Sequence, residues 1–142
     1  MKRTANAVWN GSLKEGEGKI TTQSKVLNNT QYSFNSRFGE GKSTNPDELL
    51  AAAHAACFAM ALSMILGKEG FTPESLDVTS RVTMDVENLE LTGSHLILKA
   101  TIPGIDQKKF EECANTAKDN CPVSKALSLN ITMDARLELQ SA

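Results

Sequence analysis

The chain has 142 residues, 40% hydrophobic and 23% charged, close to a globular average. That balance excludes a large multidomain machine and an intrinsically disordered chain. Fifteen basic against seventeen acidic side chains leave a net charge of −2, which argues against a general nucleic-acid binder, since that role needs a basic face. Three cysteines are an odd count and too few for a disulfide-stapled secreted scaffold. Lys2 and Arg3 are followed by no long apolar run, so no signal peptide is expected. A reducing cytoplasm is the expected setting, where a cysteine is chemical or simply buried.

The first forty residues read as short strands and turns. Ala5, Ala7 and Trp9 alternate with polar residues until Asn10-Gly11. Lys19 to Ser24 and Gln31 to Phe34 are two further short strands, and Gly39 and Gly41 flank a flexible stretch. Asn45-Pro46-Asp47-Glu48 then carries a helix-start pattern: a capping Asn, Pro in the first helical position, and Glu where a capping box wants a carboxylate. The helix is expected over 46–68, with Gly67 and Gly70 marking its end.

From Leu49 to Leu66 only His54 and Ser63 are not apolar. The length suits a membrane span. Seven alanines, a histidine and a serine in that stretch, with no aromatic belt, favour a helix buried on nearly all sides. Such a helix is about 34 Å long. A globule of this chain length is only about 30 Å across. One chain has too little material to wrap it, so an obligate homodimer built on the long helices is expected.

Further on, Leu76, Val78, Val82, Met84 and Val86 are all even-numbered, Leu96, Leu98, Ala100 and Ile102 repeat the pattern, and Leu129, Ile131, Met133, Ala135, Leu137 and Leu139 do so on odd numbers. Period two with one apolar face means three half-buried strands. Between them Asp106 to Asp119 reads as a helix, and Pro122 opens a short one. The class is α+β, with one sheet face covered by helices. A single domain over 1–142 follows: strands in 1–40, a central helix 46–68, and a sheet with helices over 74–140.

Three cysteines are candidates for chemistry. Taken alone, Cys57 in its alanine-rich run reads as a small buried hydrophobe, whose desolvated thiol stays inert unless a cation is near. Cys121 directly precedes Pro122, which puts its sulfur at a helix N-terminus and makes it the more reactive thiol; a cysteine merely filling the cap is the alternative. Cys113 follows Glu111 and Glu112 and reads as packing or surface. His54 and Cys57 share a helix face at i, i+3 and Cys121 could join them, but without a CxxC no closed zinc site is expected. His54 is read as a core histidine with both ring nitrogens hydrogen-bonded, and His95 as solvated on the polar face of its strand. No phosphate loop, Gly-x-Ser-x-Gly elbow or dinucleotide fingerprint is present.

Asn45-Pro46-Asp47-Glu48-Leu49-Leu50-Ala51-Ala52-Ala53-His54-Ala55-Ala56-Cys57-Phe58 resembles the signature helix of the osmotically inducible protein C (OsmC) and organic hydroperoxide resistance family. Asn120-Cys121-Pro122-Val123-Ser124 resembles its second cysteine motif, and Asn35-Ser36-Arg37-Phe38 its arginine loop, placed as in the OsmC branch. The resemblance runs from Trp9 to the last strand. It implies antiparallel sheets packed on a long central helix in an intertwined homodimer. It also implies a cysteine-based peroxidase that reduces organic hydroperoxides, and hydrogen peroxide less well. Cys57 would be the peroxidatic thiol and Cys121 the resolving thiol. Arg37 would stabilise the Cys57 thiolate and Glu48 would hold Arg37. The implied partners are a hydroperoxide substrate and an external dithiol reductant such as a lipoyl group; no cofactor, metal, nucleic acid or membrane is implied.

The residues are compatible with that chemistry. A bare buried thiolate is too costly, so a cation such as Arg37 becomes necessary. Glu48 precedes Cys57 by nine residues, about 13.5 Å of rise and roughly half a turn out of phase. Either a partner chain supplies Glu48 to the site, or Glu48 is only the capping-box carboxylate. Two rival functions stay open: an apolar small-molecule binding module with inert cysteines, and a redox sensor that signals through the same disulfide.

Overall fold

The structure is a computed structural model that describes residues 1–138. Two compact units are distinguished, residues 1–49 and a second from Leu50 onward. Leu139 of the last apolar series lies outside the described residues.

In the first unit, β1 (Ala5–Asn10), β2 (Glu17–Thr22) and β3 (Thr30–Tyr32) form an antiparallel sheet in that order. Trp9 and Tyr32 both pair with Gly18, and their rings meet at 5.6 Å between centroids. A Cβ at Gly18 would overlap the Tyr32 ring and press on Trp9, so glycine is required for this close approach. Asn35 to Phe38 is not a loop. Ser33 ends the preceding extended stretch and caps a short helix, α1 (Phe34–Phe38), through a reciprocal capping box with Ser36. Phe34, expected to close a strand, therefore opens a helix. Gly39 and Gly41 are tethered rather than loose, since both amides donate to the Asn35 carbonyl.

The helix α2 (Pro46–Lys68) has the expected bounds. Asn45 Oδ1 accepts the Glu48 N–H at 2.9 Å, which satisfies one orphan donor of the first turn. Asp47 and Glu48 at its start and Lys68 at its end suit the helix dipole. Among the described residues α2 is the one helix long and apolar enough to cross a membrane by length and composition. It is not buried on nearly all sides in this chain. Only His54, Phe58, Leu62 and Leu66, one stripe at spacing four, are buried. Met60 and Met64 remain 75% and 57% exposed. The physical reason is that one sheet covers one side of a helix and no more.

In the second unit β4 (Ser75–Asp85) pairs antiparallel with β5 (Glu90–Thr101). Strand β6 (Asn130–Leu137) lies on the other side of β5, and parallel to it. That corrects the expectation of wholly antiparallel sheets. Parallel neighbours need a long crossover, and α3 (Gln107–Asn120) and α4 (Pro122–Ala126) supply it. The period-two reading holds. Leu96, Leu98 and Ala100 of β5 are buried, and Leu76, Val78, Ile131, Met133, Ala135 and Leu137 are partly buried on the same core. Val86 lies past the end of β4 and is exposed. Phe58, Leu62 and Leu66 of α2 join Phe110, Ala114 and Ala117 of α3 in that core. Burying one such Phe or Leu stabilises by about 1.5–3 kcal/mol.

Candidate active site

The two motif cysteines meet. Cys57, half-buried in the middle of α2, interacts with the Cys121 thiol and with the backbone of Val123. Cys121 is fully buried and stands between α3 and α4, ending one helix and capping the next. The Ser124 N–H points at Cys121 Sγ across 3.4 Å, so the sulfur itself takes the N-cap position expected from Pro122. All three cysteines are free thiols. Burial pushes the Cys57 thiol up, and Cys121 adds to this, while the hydrogen bond with the Val123 backbone pulls it down. Within one chain Cys57 is therefore poor at forming a thiolate. Cys113 is packed in the core, and burial raises it as well.

A chain of hydrogen bonds continues behind Cys121. Its sulfur lies 3.0 Å from Ser124 Oγ, which lies 2.8 Å from His54 Nε2. His54 Nδ1 is 2.6 Å from Ser94 Oγ, and Ser94 is 2.8 Å from Ser80 Oγ. His54 is thus the expected core histidine, fully buried with both ring nitrogens satisfied. Burial lowers its pKa from the ordinary value of 6.5, so the neutral ring is favoured. The serines had a legible signal. Ser80 and Ser94 occupy apolar phases of their strands, where a polar side chain needs a buried partner.

Arg37 and Glu48 belong to the first unit. Arg37, in the last turn of α1, forms an ion pair with Asp47 at 3.2 Å and lies 5.5 Å from the Phe38 ring centroid. Glu48 instead accepts the Thr44 hydroxyl at 2.8 Å. Within one chain, Asp47 rather than Glu48 holds Arg37; the sequence reading missed Asp47, which stands next to the residue it chose. The Glu48 side chain also leaves the capping box half made, since it bonds Thr44 and not the Asn45 amide. Trp9, Leu13, Tyr32, Phe34, Phe38 and Pro46 enclose a cavity of about 210 Å³ that also has Arg37 on its wall. His95 is not merely solvated: it bonds Thr132 at 2.6 Å and Asp134 at 3.0 Å. The parallel register sets Thr132 beside it. Among the described residues no cluster of three metal-ligating side chains occurs.

A family model described as OsmC-like protein matches residues 39–136, more than half of the chain and all of the cysteine sites. The chain belongs to the OsmC-like protein family. Peroxiredoxin OsmC of Escherichia coli (strain K12) is 45% identical over 140 residues, covering 97% of this chain and 98% of that protein. An organic hydroperoxide resistance protein-like protein of Staphylococcus aureus (strain USA300) is 33% identical over 102 residues, covering 70% of this chain and 73% of that protein. The crystal structure of the organic hydroperoxide resistance protein OhrB of Bacillus subtilis superposes with a TM-score of 0.64 at 26% identity, covering 95% of this chain and 98% of that one. The expected mixed α+β architecture of the OsmC-like fold is thus observed, as two small sheets with helices. The higher identity to the OsmC relative agrees with the branch that the Asn-Ser-Arg-Phe placement suggested.

Proposed function

We propose that this OsmC-like chain is a cysteine-based peroxidase that reduces organic hydroperoxides, and hydrogen peroxide less well. The observation that carries the reading is the meeting of the Cys57 and Cys121 thiols at one site, 64 positions apart in the numbering. The Cys57 thiolate attacks the peroxide oxygen, the O–O bond breaks, and an alkoxide leaves to become an alcohol. The sulfenic acid so formed condenses with the Cys121 thiol, giving a disulfide and water. An external dithiol, of lipoyl type in our reading, then exchanges with the disulfide, restoring two thiols and carrying away a cyclic disulfide.

The raised thiol of Cys57 needs a nearby cation, and Arg37 answers this because it stays charged at any working pH. Its charge also stabilises the departing alkoxide. Glu48 holds Arg37 in the working site, joined by Asp47, which already does so within one chain. The half-turn offset between Glu48 and Cys57 is met when a second copy supplies Arg37 and Glu48. We therefore read the functional unit as an intertwined homodimer, each copy a single domain over 1–142. The exposed Met60 and Met64 face of α2 supports this, because an uncovered apolar helix face calls for a partner. The aromatic cavity beside Arg37 supports a substrate with a bulky apolar group. The protein is taken to act in the reducing cytoplasm, where a dithiol reductant is available.

Turnover of cumene hydroperoxide with dihydrolipoamide tests the reading. Cys57→Ser is expected to abolish it. Cys121→Ser is expected to leave one oxidation without turnover. Full turnover in Cys57→Ser would sink the assignment.

A further inference from the structure

The two cysteines carry the redox step, yet a buried histidine and three serines line up behind Cys121 with no task in it. With the proton of His54 on Nδ1, every bond in the series can point one way. The Cys121 S–H donates to Ser124 Oγ, the Ser124 O–H to His54 Nε2, the His54 Nδ1–H to Ser94 Oγ, and the Ser94 O–H to Ser80 Oγ. Cys121, Ser124, His54 and Ser94 are buried, while Ser80 is half-buried. The series therefore leads from the sulfur towards solvent.

We propose that His54 is a positioning residue for Cys121: acting through Ser124, it draws the proton from the Cys121 thiol as that sulfur attacks Cys57. The inference rests on the peroxidase reading for its place in the cycle. The Cys121 S–H bond breaks, and the sulfur pair forms the new S–S bond. The sulfenic oxygen leaves as hydroxide. The thiol proton passes to Ser124 while the Ser124 proton passes to His54 Nε2, and one proton emerges at Ser80 from Nδ1. The hydroxide takes up one proton from solvent while the series releases one to it, so the sum is one thiol and one sulfenic acid converted to one disulfide and one water.

The surroundings of His54 suit a transient proton acceptor. The side chains bonded to it from β5 and from α4 are the neutral Ser94 and Ser124, with Ser80 of β4 beyond them. The titratable groups at this end are the thiols of Cys121 and of Cys57, the latter one turn along the same helix. Burial favours the neutral ring, so the lone pair on Nε2 is available near pH 7. Ser124 also donates its N–H to the sulfur, which steadies the charge as it forms.

The test avoids peroxide, so that it stands apart from the peroxidase reading. In a Cys113→Ala background, one equivalent of dithionitrobenzoate forms a mixed disulfide on Cys57 and releases one thionitrobenzoate. Attack by Cys121 then releases the second and closes the Cys57–Cys121 disulfide. A thiol without an attached base attacks only through its thiolate, whose fraction rises tenfold per pH unit below its pKa. General-base transfer contributes typically about 10²–10⁴-fold.

Ser124→Ala and His54→Gln are expected to slow the second release at least about tenfold at pH 7 and to steepen its pH profile towards tenfold per unit. His95→Gln, outside the series, is expected to leave it unchanged. Wild-type rate and pH profile in folded Ser124→Ala would overturn the proposal, as would the absence of a second release from the wild-type protein. Ser124→Ala keeps the proposal testable if His54→Gln fails to fold. Cumene hydroperoxide consumption, run beside it, reports on the peroxidase reading separately.

Discussion

Glu48→Gln separates a catalytic role from a structural one. The helix cap survives this change, because Asn45 bonds the Glu48 backbone N–H and not its side chain. The Thr44 hydroxyl keeps an acceptor too, since an amide oxygen replaces the carboxylate oxygen that takes it now. What is lost at the helix start is a negative charge in the first turn, worth about 0.3–1 kcal/mol. For a domain of this size the melting temperature should fall by no more than about 4 °C.

The catalytic loss is larger in the proposed role. A hydrogen bond to a charged group contributes about 1.5–3 kcal/mol, against about 0.5–1.5 for a neutral pair. Losing the difference at Arg37 costs a little over 1 kcal/mol, or about tenfold in rate. Steady-state kcat/KM with cumene hydroperoxide, measured beside thermal unfolding at fixed protein concentration, reads both effects. Asn45→Ala is the structural counterpart: loss of the cap costs about 0.5–2 kcal/mol, with activity per folded site preserved. Unchanged kcat/KM in Glu48→Gln would refute the assignment and leave Arg37 to Asp47, its partner within the chain.

Two further predictions follow from the same geometry. Replacing Met60 and Met64 together by glutamate puts two charges on the exposed apolar face of α2; sedimentation should then show a monomer with lost peroxidase activity, and a persisting dimer would speak against α2 as the interface. His54, whose folded pKa is lowered, binds fewer protons in the folded than in the unfolded chain. Its contribution to stability is therefore complete above about pH 6.5 and lost as the pH falls below that towards its folded pKa. Denaturant unfolding between pH 7 and 5 should show this slope, and His54→Gln should remove part of it; an identical slope in the variant would contradict a buried neutral histidine.

How much of this was legible in the sequence varied with the physical signal. Helix α2 was readable to the residue because Asn45 and Pro46 mark its start and Gly67 and Gly70 its end. Period-two alternation identified three strands of the second unit, since each has one face on a core. Direction carries no such signal: alternation is the same in a parallel and an antiparallel strand, so β6 was misread, and with it the Thr132 and Asp134 partners of His95. The five residues of α1 are too few for a helical period, and the fold of that stretch rests on the Ser33–Ser36 capping box. The helix covering of α2 was overestimated because composition reports that a face is apolar, not whether one chain covers it. For the site, Cys121 was legible from its place before Pro122 and His54 as a buried histidine, whereas Cys57, a small buried hydrophobe when read alone, gained its role only through the family resemblance. Ser80 and Ser94 passed unremarked as polar residues in apolar phases, and Asp47 was overlooked beside Glu48.

In the proposed cycle Cys57 and Cys121 form one redox pair. One equivalent of cumene hydroperoxide added to the fully reduced protein, followed by intact mass and a peptide map without reductant, tests it most directly. A redox pair gives a loss of two hydrogens and a linked peptide joining Cys57 to Cys121. An unchanged mass, or oxidation confined to Cys113, would contradict it.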